Sequence, residues 1–274
     1  MIKVSVIITT KNEEKHIENC LRSVKEQSFR EEDIEIIVVD NRSTDKTKEI
    51  ALKYTKNVFD LGPERSAQRN FGIKRAEGKY VLYLDADMIL SKNVISECIE
   101  KSEKDDLAGL YIHEKIIGNG FWIKVRDFER SFYDATLIDC VRFIRRTTFE
   151  KVQGFDENLT GPEDWDFDRK IRNIGQTGLI KVPIYHNEGS FELITYLSKK
   201  SYYSKNFERY IAKWGRDNHE IKKQLGFSYR FLGVFIEQGK WVRILKHPIL
   251  TIAMYGLRFL VGVNYLLIKK GANN

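Results

Sequence analysis

Two carboxylates, Asp85 and Asp87, stand one residue apart at the end of an apolar run. The run covers residues 80–84 and is rich in Tyr, Val and Leu, which is typical of a strand buried on both faces. Ligand crevices of open α/β sheets lie at the carboxyl ends of their strands. Paired carboxylates there suit a hard divalent cation that also holds phosphate oxygens. The alternative is a loop that begins with Asp because Asp favours turns.

Polar residues also close the two other clear strand patterns. The run at residues 4–10 ends in Thr9 and Thr10, and the run at residues 34–39 is followed by Asp40. The stretches between the strands have helical patterns, with Ser43 as a candidate N-cap. These stretches are residues 16–27, about 43–53 and 66–76, with a short strand at 58–59. The alternation predicts a parallel sheet covered by helices, so the polar strand ends should converge on one crevice.

The middle of the chain predicts further elements of both kinds. Strands are expected at residues 108–117, 141–145 and 178–182, and helices at 92–104, 121–133, 147–152 and from 161–166 to about 174. His186 stands just beyond the last of these strands, after Pro183. No internal repeat and no low-complexity linker interrupts the pattern.

Composition limits the class of protein. The chain has 274 residues, 42% of them apolar, which is enough for a real core and unlike a disordered chain. A net charge of +7 favours phosphorylated substrates, an anionic membrane surface or nucleic acid. Three widely spaced cysteines support neither a zinc site nor a disulfide framework, and they fit a reducing cytosolic environment. The first residues form a strand pattern and not a signal peptide.

The character of the chain changes after residue 190. Residues 191–214 have a long helical pattern rich in Tyr and Lys, and residues 248–268 are almost wholly apolar apart from Arg258 and Asn264. That run is near the roughly 20 residues that span a bilayer, but its Arg discourages spanning. Its basic flanks favour a helix that lies in the plane of the membrane interface. A buried core helix and a dimer interface are the alternatives.

Four motifs carry a resemblance to a known family. They are VSVIITTKNEE, IIVVDNRSTDKT, ERSAQRNFGIKRAEGKYVLYLDADM and GFDENLTGPEDWDFDRKI, in that order. Together they resemble the family 2 glycosyltransferases over residues 1–190. The resemblance implies a GT-A fold, in which a mixed, mostly parallel nucleotide-binding α/β sheet is flanked by helices. Residues 191–274 more loosely resemble the membrane-associating helical tails of members that act on lipid-linked acceptors.

The resemblance also implies roles for residues on the donor side. Asp87 would ligate Mn²⁺ or Mg²⁺, Asp85 would help to hold the ribose or the metal, and His186 would be a further metal or diphosphate contact. Thr9, Asn12 and Glu13 would edge the nucleoside pocket. Asp40 would contact the base or ribose. The alternatives are a structural histidine at position 186 and a helix-capping acid at position 40.

Two arginines precede the paired carboxylates. Arg65 and Arg69 are four residues apart on one face of a predicted helix. They could pair with phosphate or with Asp85 and Asp87. A solvated basic face is the alternative.

Glu163 and Asp164 match the family's acidic pair. The resemblance makes Asp164 the general base that takes a proton from an acceptor hydroxyl, a step that such a weak acid requires. The alternative is a set of acids that favour a helix N-terminus. Trp165 would pack against a sugar or belong to the core.

The predicted function is a metal-dependent, inverting sugar transfer. The donor would be a UDP- or GDP-linked sugar and the acceptor a lipid-linked saccharide at the cytoplasmic face of the membrane, with no nucleic acid partner. Transfer to polyprenyl phosphate and a non-enzymatic, basic membrane-docking module remain alternatives. A dinucleotide-dependent oxidoreductase is disfavoured, because no GxGxxG follows the first strand.

Overall fold

A computed structural model describes residues 1–204 and 206–271. Eight strands form one mixed sheet in the order β3-β2-β1-β4-β7-β6-β8-β5. The strands are β1 (Val4–Thr10), β2 (Ile34–Asp40), β3 (Val58–Asp60), β4 (Tyr80–Asp85), β5 (Met88–Leu90), β6 (Gly109–Asn119), β7 (Phe143–Arg145) and β8 (Thr177–Ser190). Strands β3, β2, β1 and β4 are parallel, whereas β7 pairs antiparallel with both β4 and β6. The predicted mixed sheet is confirmed.

Helices cover both faces of the sheet and form the C-terminal region. They are α1 (Ile17–Lys25), α2 (Thr47–Leu52), α3 (Arg65–Arg75), α4 (Val94–Asp105), α5 (Phe121–Arg130), α6 (Arg146–Lys151), α7 (Glu163–Ile174), α8 (Leu193–Ser204), α9 (Phe207–Trp214), α10 (His219–Leu225), α11 (Val234–Ile236), α12 (Trp241–Lys246) and α13 (Pro248–Gly271). A π-helical turn, Tyr229–Gly233, precedes α11.

The strands form where apolar, β-branched residues can be buried from both sides. Every residue of β1 is buried, and one apolar cluster fills each face of the sheet. Helix α3 lies close to β1 because Gly72 has no side chain. A Cβ at position 72 would stand 2.5 Å from Ile7 Cγ2. This approach brings the arginines of α3 to the carboxyl end of the sheet.

Three predictions about elements are wrong. Helix α2 begins at Thr47, because Ser43 does not cap it and instead donates its hydroxyl hydrogen to Asp40. Strand β8 does not stop before Pro183 but continues to Ser190, so His186 lies within a strand. A shift in the β6–β8 register between Ile112 and Glu114 accommodates the proline.

The third wrong prediction is the long helix over residues 191–214. The structure has two helices there, α8 and α9. Asn206 precedes α9, and its side-chain amide donates to the carbonyl of Thr160. This contact ties the start of α9 to the loop before α7.

Candidate active site

The polar ends of the parallel strands meet as the sequence predicts. Residues opposite one another in the sheet are Thr9 and Asp85, and Thr10 and Asp40. The hydroxyl of Thr9 donates to Asp85 Oδ1 across 3.2 Å. The carboxyl ends of β1, β2 and β4 therefore form one edge of a cleft.

One buried arginine connects the two acidic motifs. Arg69 Nη2 lies 3.1 Å from Asp85 Oδ1, and its Nη1 lies 2.6 Å from Asp164 Oδ1. The side chain of Arg69 is fully buried, with its guanidinium carbon 4.7 Å from the Tyr83 ring centroid. Burial would raise the pKa of Asp85, but Arg69 and then Arg65 hold it below its usual range. Asp85 is therefore ionised.

Arg65 forms a second connection on the same face of α3. Its Nη1 lies 3.6 Å from Asp85 Oδ2, and its Nη2 lies 3.3 Å from Glu163 Oε1. Burial and then the adjacent Asp164 raise the pKa of Glu163. The side chain of Glu163 is 3% exposed and that of Asp164 is 29% exposed, so Asp164 is the acid that a substrate can reach.

Asp87 faces a different set of side chains from Asp85. Its Oδ2 lies 3.1 Å from His186 Nε2, and His186 Nδ1 lies 3.1 Å from Glu114 Oε1. Burial would lower the pKa of His186, but hydrogen bonds to Asp87 and Glu114 raise it well above its ordinary value. Asp87 Oδ1 is buried and, among the described residues, has no hydrogen-bond partner.

These residues fit part of a metal site. In residues 1–204 and 206–271, no three His, Cys, Asp or Glu side chains form a complete metal-binding group. Asp87 and His186 nevertheless offer a carboxylate and an imidazole side by side, with one carboxylate oxygen unpaired. A cation there would displace the His186 proton and take its remaining ligands from a diphosphate and water. Asp85 faces the two arginines of α3, and the charge of His186 also acts on it.

The loop after β1 is held by the loop after β2. Asn12 has a φ of +54°, which Asn tolerates, and its Oδ1 accepts from the Thr44 N–H across 2.9 Å. The Glu13 N–H donates to Thr47 Oγ1 across 2.8 Å. Burial, and then repulsion by Asp87, raises the pKa of Glu13 to about 7. Glu13 thus lies near the predicted metal ligand Asp87, and the loop after β2 holds the adjacent Asn12.

Asp40 is fully buried and accepts hydrogen bonds within the loop after β2. Its Oδ2 accepts from the Ser43 N–H across 2.7 Å, and its Oδ1 accepts from the Ser43 hydroxyl. Asp40 does not cap α2, which begins seven residues later at Thr47. A contact of Asp40 with the base or ribose stays a prediction, since both of its oxygens are engaged within the protein.

Helix α8 borders the cleft, which the sequence did not indicate. The Arg65 guanidinium carbon lies 5.4 Å from the Tyr203 ring centroid. Gly161, at φ +104°, leaves room for the Tyr203 carbonyl, since a Cβ at position 161 would stand 2.1 Å from that oxygen. At the other side of the cleft, the charge of Lys199 opposes the rise in the pKa of Glu13. The helix therefore reaches from the loop before α7 to the loop after β1.

Sequence reasoning also missed the buried network behind His186. Glu114 Oε2 accepts from Arg130 Nη2 and Arg142 Nη2 across 3.4 and 3.2 Å. These arginines and His186 hold the pKa of Glu114 well below its ordinary value, against the effect of burial. The sequence did contain a signal, since Glu114 lies within an apolar strand pattern. A charge buried in this way needs partners.

Trp165 is packed among aromatic side chains. Its ring stacks on Phe207 at 5.9 Å, and its indole N–H donates to the carbonyl of Ile138 across 3.3 Å. This packing agrees with the alternative in which Trp165 belongs to the core. A sugar contact of Trp165 stays a prediction.

Comparisons with known proteins agree with the motifs. The model of the family "Glycosyl transferase family 2" matches residues 5–158. The chain is 30% identical over 227 residues to the poly(ribitol-phosphate) beta-N-acetylglucosaminyltransferase TarS of Staphylococcus aureus strain MW2. That match covers 74% of this chain and 39% of the relative, so the chain spans about two fifths of that relative's length.

Two solved structures have the same architecture. The S. aureus TarS fragment 1–349 in complex with UDP-GlcNAc has a TM-score of 0.58 and 22% identity, covering 92% of this chain and 79% of that one. The mannosyltransferase PcManGT from Pyrobaculum calidifontis, in complex with GDP-Man and Mn²⁺, has a TM-score of 0.61 and 18% identity, covering 99% and 79% respectively. These similarities confirm the predicted GT-A fold.

Proposed function

The chain belongs to glycosyl transferase family 2, and on that premise we propose that it transfers a sugar from a nucleoside-diphosphate donor to an acceptor hydroxyl, with inversion. The observation that carries this proposal is the position of Arg69, whose guanidinium lies 3.1 Å from Asp85 Oδ1 and 2.6 Å from Asp164 Oδ1. One rigid side chain thereby holds an acid of the donor side and the candidate base in a single cleft.

Asp164 acts as the general base. Its carboxylate takes the proton of the acceptor hydroxyl as that oxygen bonds to the anomeric carbon. The bond from that carbon to the diphosphate breaks on the opposite side, and its electron pair leaves with the diphosphate. Arg69 fixes the direction of the Asp164 carboxylate, and Glu163 is too buried to take the same role.

The donor lies along the ends of the parallel strands. Thr9, Asn12 and Glu13 edge the nucleoside pocket, and Asp40 supports it through Ser43. Arg65 is partly exposed and offers positive charge to a diphosphate. When bound by Asp87 and His186, Mn²⁺ or Mg²⁺ supplies Lewis-acid stabilisation of the departing diphosphate. Asp85, which faces Arg65 and Arg69, helps to hold the ribose or the metal.

The acceptor is a hydroxyl of a lipid-linked saccharide at the cytoplasmic face of a membrane. An acceptor hydroxyl needs a base, whereas a lipid phosphate is already ionised, so Asp164 favours the hydroxyl. The TarS relative is named for action on poly(ribitol-phosphate), which supports an acceptor from cell-envelope glycan synthesis. The GDP-Man complex of PcManGT and the UDP-GlcNAc complex of TarS support either nucleotide as the donor base.

The C-terminal helix α13 supports attachment to a membrane. Residues Pro248–Tyr265 are long and apolar enough to cross a membrane, and 17% of this stretch is buried. One face of α13 carries exposed apolar side chains at three- and four-residue spacing; among them are Ile249, Ile252, Phe259, Val263 and Leu267.

The opposite face of α13 packs on the rest of the protein. Met254 and Leu257 are buried, and Arg258 Nη1 lies 2.6 Å from Glu129 Oε1 of α5. An arginine paired in this way ties the helix to the domain formed by residues 1–190. Helix α13 therefore fits a position in the plane of the membrane interface better than a span across the membrane.

The donor and metal can be tested together by thermal unfolding of the full chain. We expect a UDP- or GDP-sugar to raise the melting temperature, and Mn²⁺ to increase that shift, because a ligand that binds only the folded state stabilises it. The whole proposal would fail if none of these sugars, with or without Mn²⁺, changed the melting temperature.

The base can be tested by Asp164→Asn. We expect transfer to fall by about 10²–10⁴-fold, since the amide cannot take the proton, while the donor-induced thermal shift remains. Asp106→Asn is the matched control, because Asp106 is 89% exposed and pairs with Arg145 at the far end of β7. Normal turnover by Asp164→Asn would remove the base from the proposal.

Membrane attachment can be tested by flotation with vesicles that contain anionic lipid. Phe259→Asp places a charge on the exposed face of α13, where the side chain is 65% exposed, so we expect the bound fraction to fall severalfold. Leu52→Asp is the control, because Leu52 is 59% exposed on α2. Equal flotation of both variants would contradict attachment through α13.

A further inference from the structure

A second group of charged side chains lies apart from the acids of the cleft, where α5, β8, α8, the π-helical turn and α13 meet. We call it the cation cluster. Its members are Arg126, Glu129, Glu188, Lys200, Arg230 and Arg258. None of these residues takes part in the reaction described above, and their number is unusual for a half-buried region.

The two acids of the cation cluster are already paired. Arg126 Nη1 lies 2.8 Å from Glu129 Oε2, and Arg126 Nη2 lies 2.9 Å from Glu188 Oε1. Arg258 takes the other oxygen of Glu129 at 2.6 Å. Two carboxylates thus serve two arginines.

The other two cations have no such partner. In residues 1–204 and 206–271, no carboxylate forms an ion pair with Lys200 or Arg230. Lys200 Nζ lies 5.2 Å from the Tyr196 ring centroid, and the Arg126 guanidinium carbon lies 5.0 Å from the same centroid. The cluster therefore carries an excess of two positive charges around Tyr196.

The excess charge affects the ionisation of its members. Burial, and then repulsion by Arg126 and Arg230, lowers the pKa of Lys200 to about 8. Burial also lowers the pKa of Arg230. Cations in excess of the nearby carboxylates are unfavourable in a half-buried site. A bound anion lowers the free energy of such a site.

The cluster lies between the candidate base and the membrane-facing helix. The Arg230 guanidinium carbon is 5.8 Å from the ring centroid of Trp165, the residue after Asp164. The backbone carbonyl of Arg230 accepts a hydrogen bond from Arg258 of α13. Along β8, Glu188 is two residues from His186.

We infer that Lys200 and Arg230, with Arg126 behind them, bind a phosphate group carried by the acceptor. This inference rests on the proposed function and names a recognition site for its acceptor. A phosphate monoester or diphosphate has the charge to match the excess of two, and guanidinium and ammonium groups are its usual ligands. The phosphate could belong to a lipid diphosphate or to a polyol phosphate chain.

The test is calorimetric binding to the full chain with UDP and Mn²⁺ present, so that the donor's diphosphate site is filled. One probe is farnesyl diphosphate, for the lipid source, and the other is a short glycerol phosphate oligomer, for the polyol source. We expect one probe to bind, and Lys200→Gln and Arg230→Gln each to weaken it about tenfold or more. Lys222→Gln, an exposed charge removal on α10, should bind like the wild type.

Two further measurements keep the result interpretable. UDP binding in each variant checks that it is folded, and Arg230→Lys should retain part of the affinity because it keeps the charge. The inference would be overturned if neither probe bound the wild type, or if Lys200→Gln and Arg230→Gln bound the probe as tightly as the wild type does. If the wild type bound a probe but did not bind UDP, the proposed function would be overturned and the inferred phosphate site would stand.

Discussion

The proposed donor side and the proposed acceptor side of the cleft are assembled in different ways. The donor side consists of the ends of β1, β2 and β4, where the sheet register places Thr9 beside Asp85. The acceptor side consists of α5, α7, α8, the π-helical turn and α13, and it brings together Arg126, Arg230 and Arg258 from distant parts of the chain. A regular sheet positions the first set through backbone pairing, whereas side-chain packing between helices positions the second.

This difference explains which features could be predicted. The paired acids at positions 85 and 87 end a strand pattern, and parallel strands force such ends together. The ion pairs that Arg69 makes with Asp85 and Asp164 were predicted only in part, because the sequence suggested the first acid and not the second. The position of His186 was misjudged because Pro183 suggested the end of a strand, and only the irregular β6–β8 register shows how the strand continues.

The acceptor side gave no comparable signal. Lys200 belongs to a predicted helix full of Lys and Tyr, and nothing in its spacing indicates which lysine is half-buried. Arg258 appeared to weigh against a membrane helix because its partner, Glu129, is far away in sequence. Long-range ion pairs between helices depend on tertiary packing, which a single sequence does not reveal.

The largest expected effect on folding comes from Arg69→Gln, which breaks the contact between the two sides. We expect a loss of about 3 kcal/mol in the free energy of unfolding, because a buried cation that serves two acids is removed. Denaturant unfolding measures it, with Lys74→Gln on the exposed side of α3 as the control. A change within about 0.5 kcal/mol, typical of surface sites, would show that the two sides do not depend on Arg69.

A smaller effect is expected for the contact between α8 and the loop before α7. In Gly161→Ala, the added Cβ would meet the Tyr203 carbonyl, and the φ of +104° would strain it, so we expect a loss of about 1–3 kcal/mol in unfolding free energy. Gly189→Ala is the matched control, since Gly189 also has a positive φ but has open space around it. Equal losses would mean that α8 is free to move away from the loop.

The smallest effect concerns pH and applies to the acceptor side alone. Phosphate binding needs charged Lys200, whose pKa is about 8, so affinity should fall as pH rises through 8. Between pH 7 and pH 9 we expect about a tenfold loss, measured by calorimetry with the phosphate probe that binds.

The charged and titratable groups that face Lys200 are Arg126 and Glu129 of α5, Glu188 of β8, Arg230 of the π-helical turn and Tyr196 of α8 itself. Lys200→Gln removes the group whose pKa is about 8, so this variant should show no such pH dependence. The same pH dependence in both proteins would place the titrating group elsewhere.

Glu129 gives α13 a part in the electrostatics of the cation cluster as well as in the proposed membrane attachment. One of its oxygens accepts from Arg258 of α13 and the other from Arg126 of the cation cluster. A shortened chain that ends before α13 would lose Arg258, and Glu129 would then be free to neutralise Arg126 more fully. Truncation to improve solubility would thus halve the excess charge of the cluster, and measurements on such a fragment would understate how strongly the whole chain attracts anions.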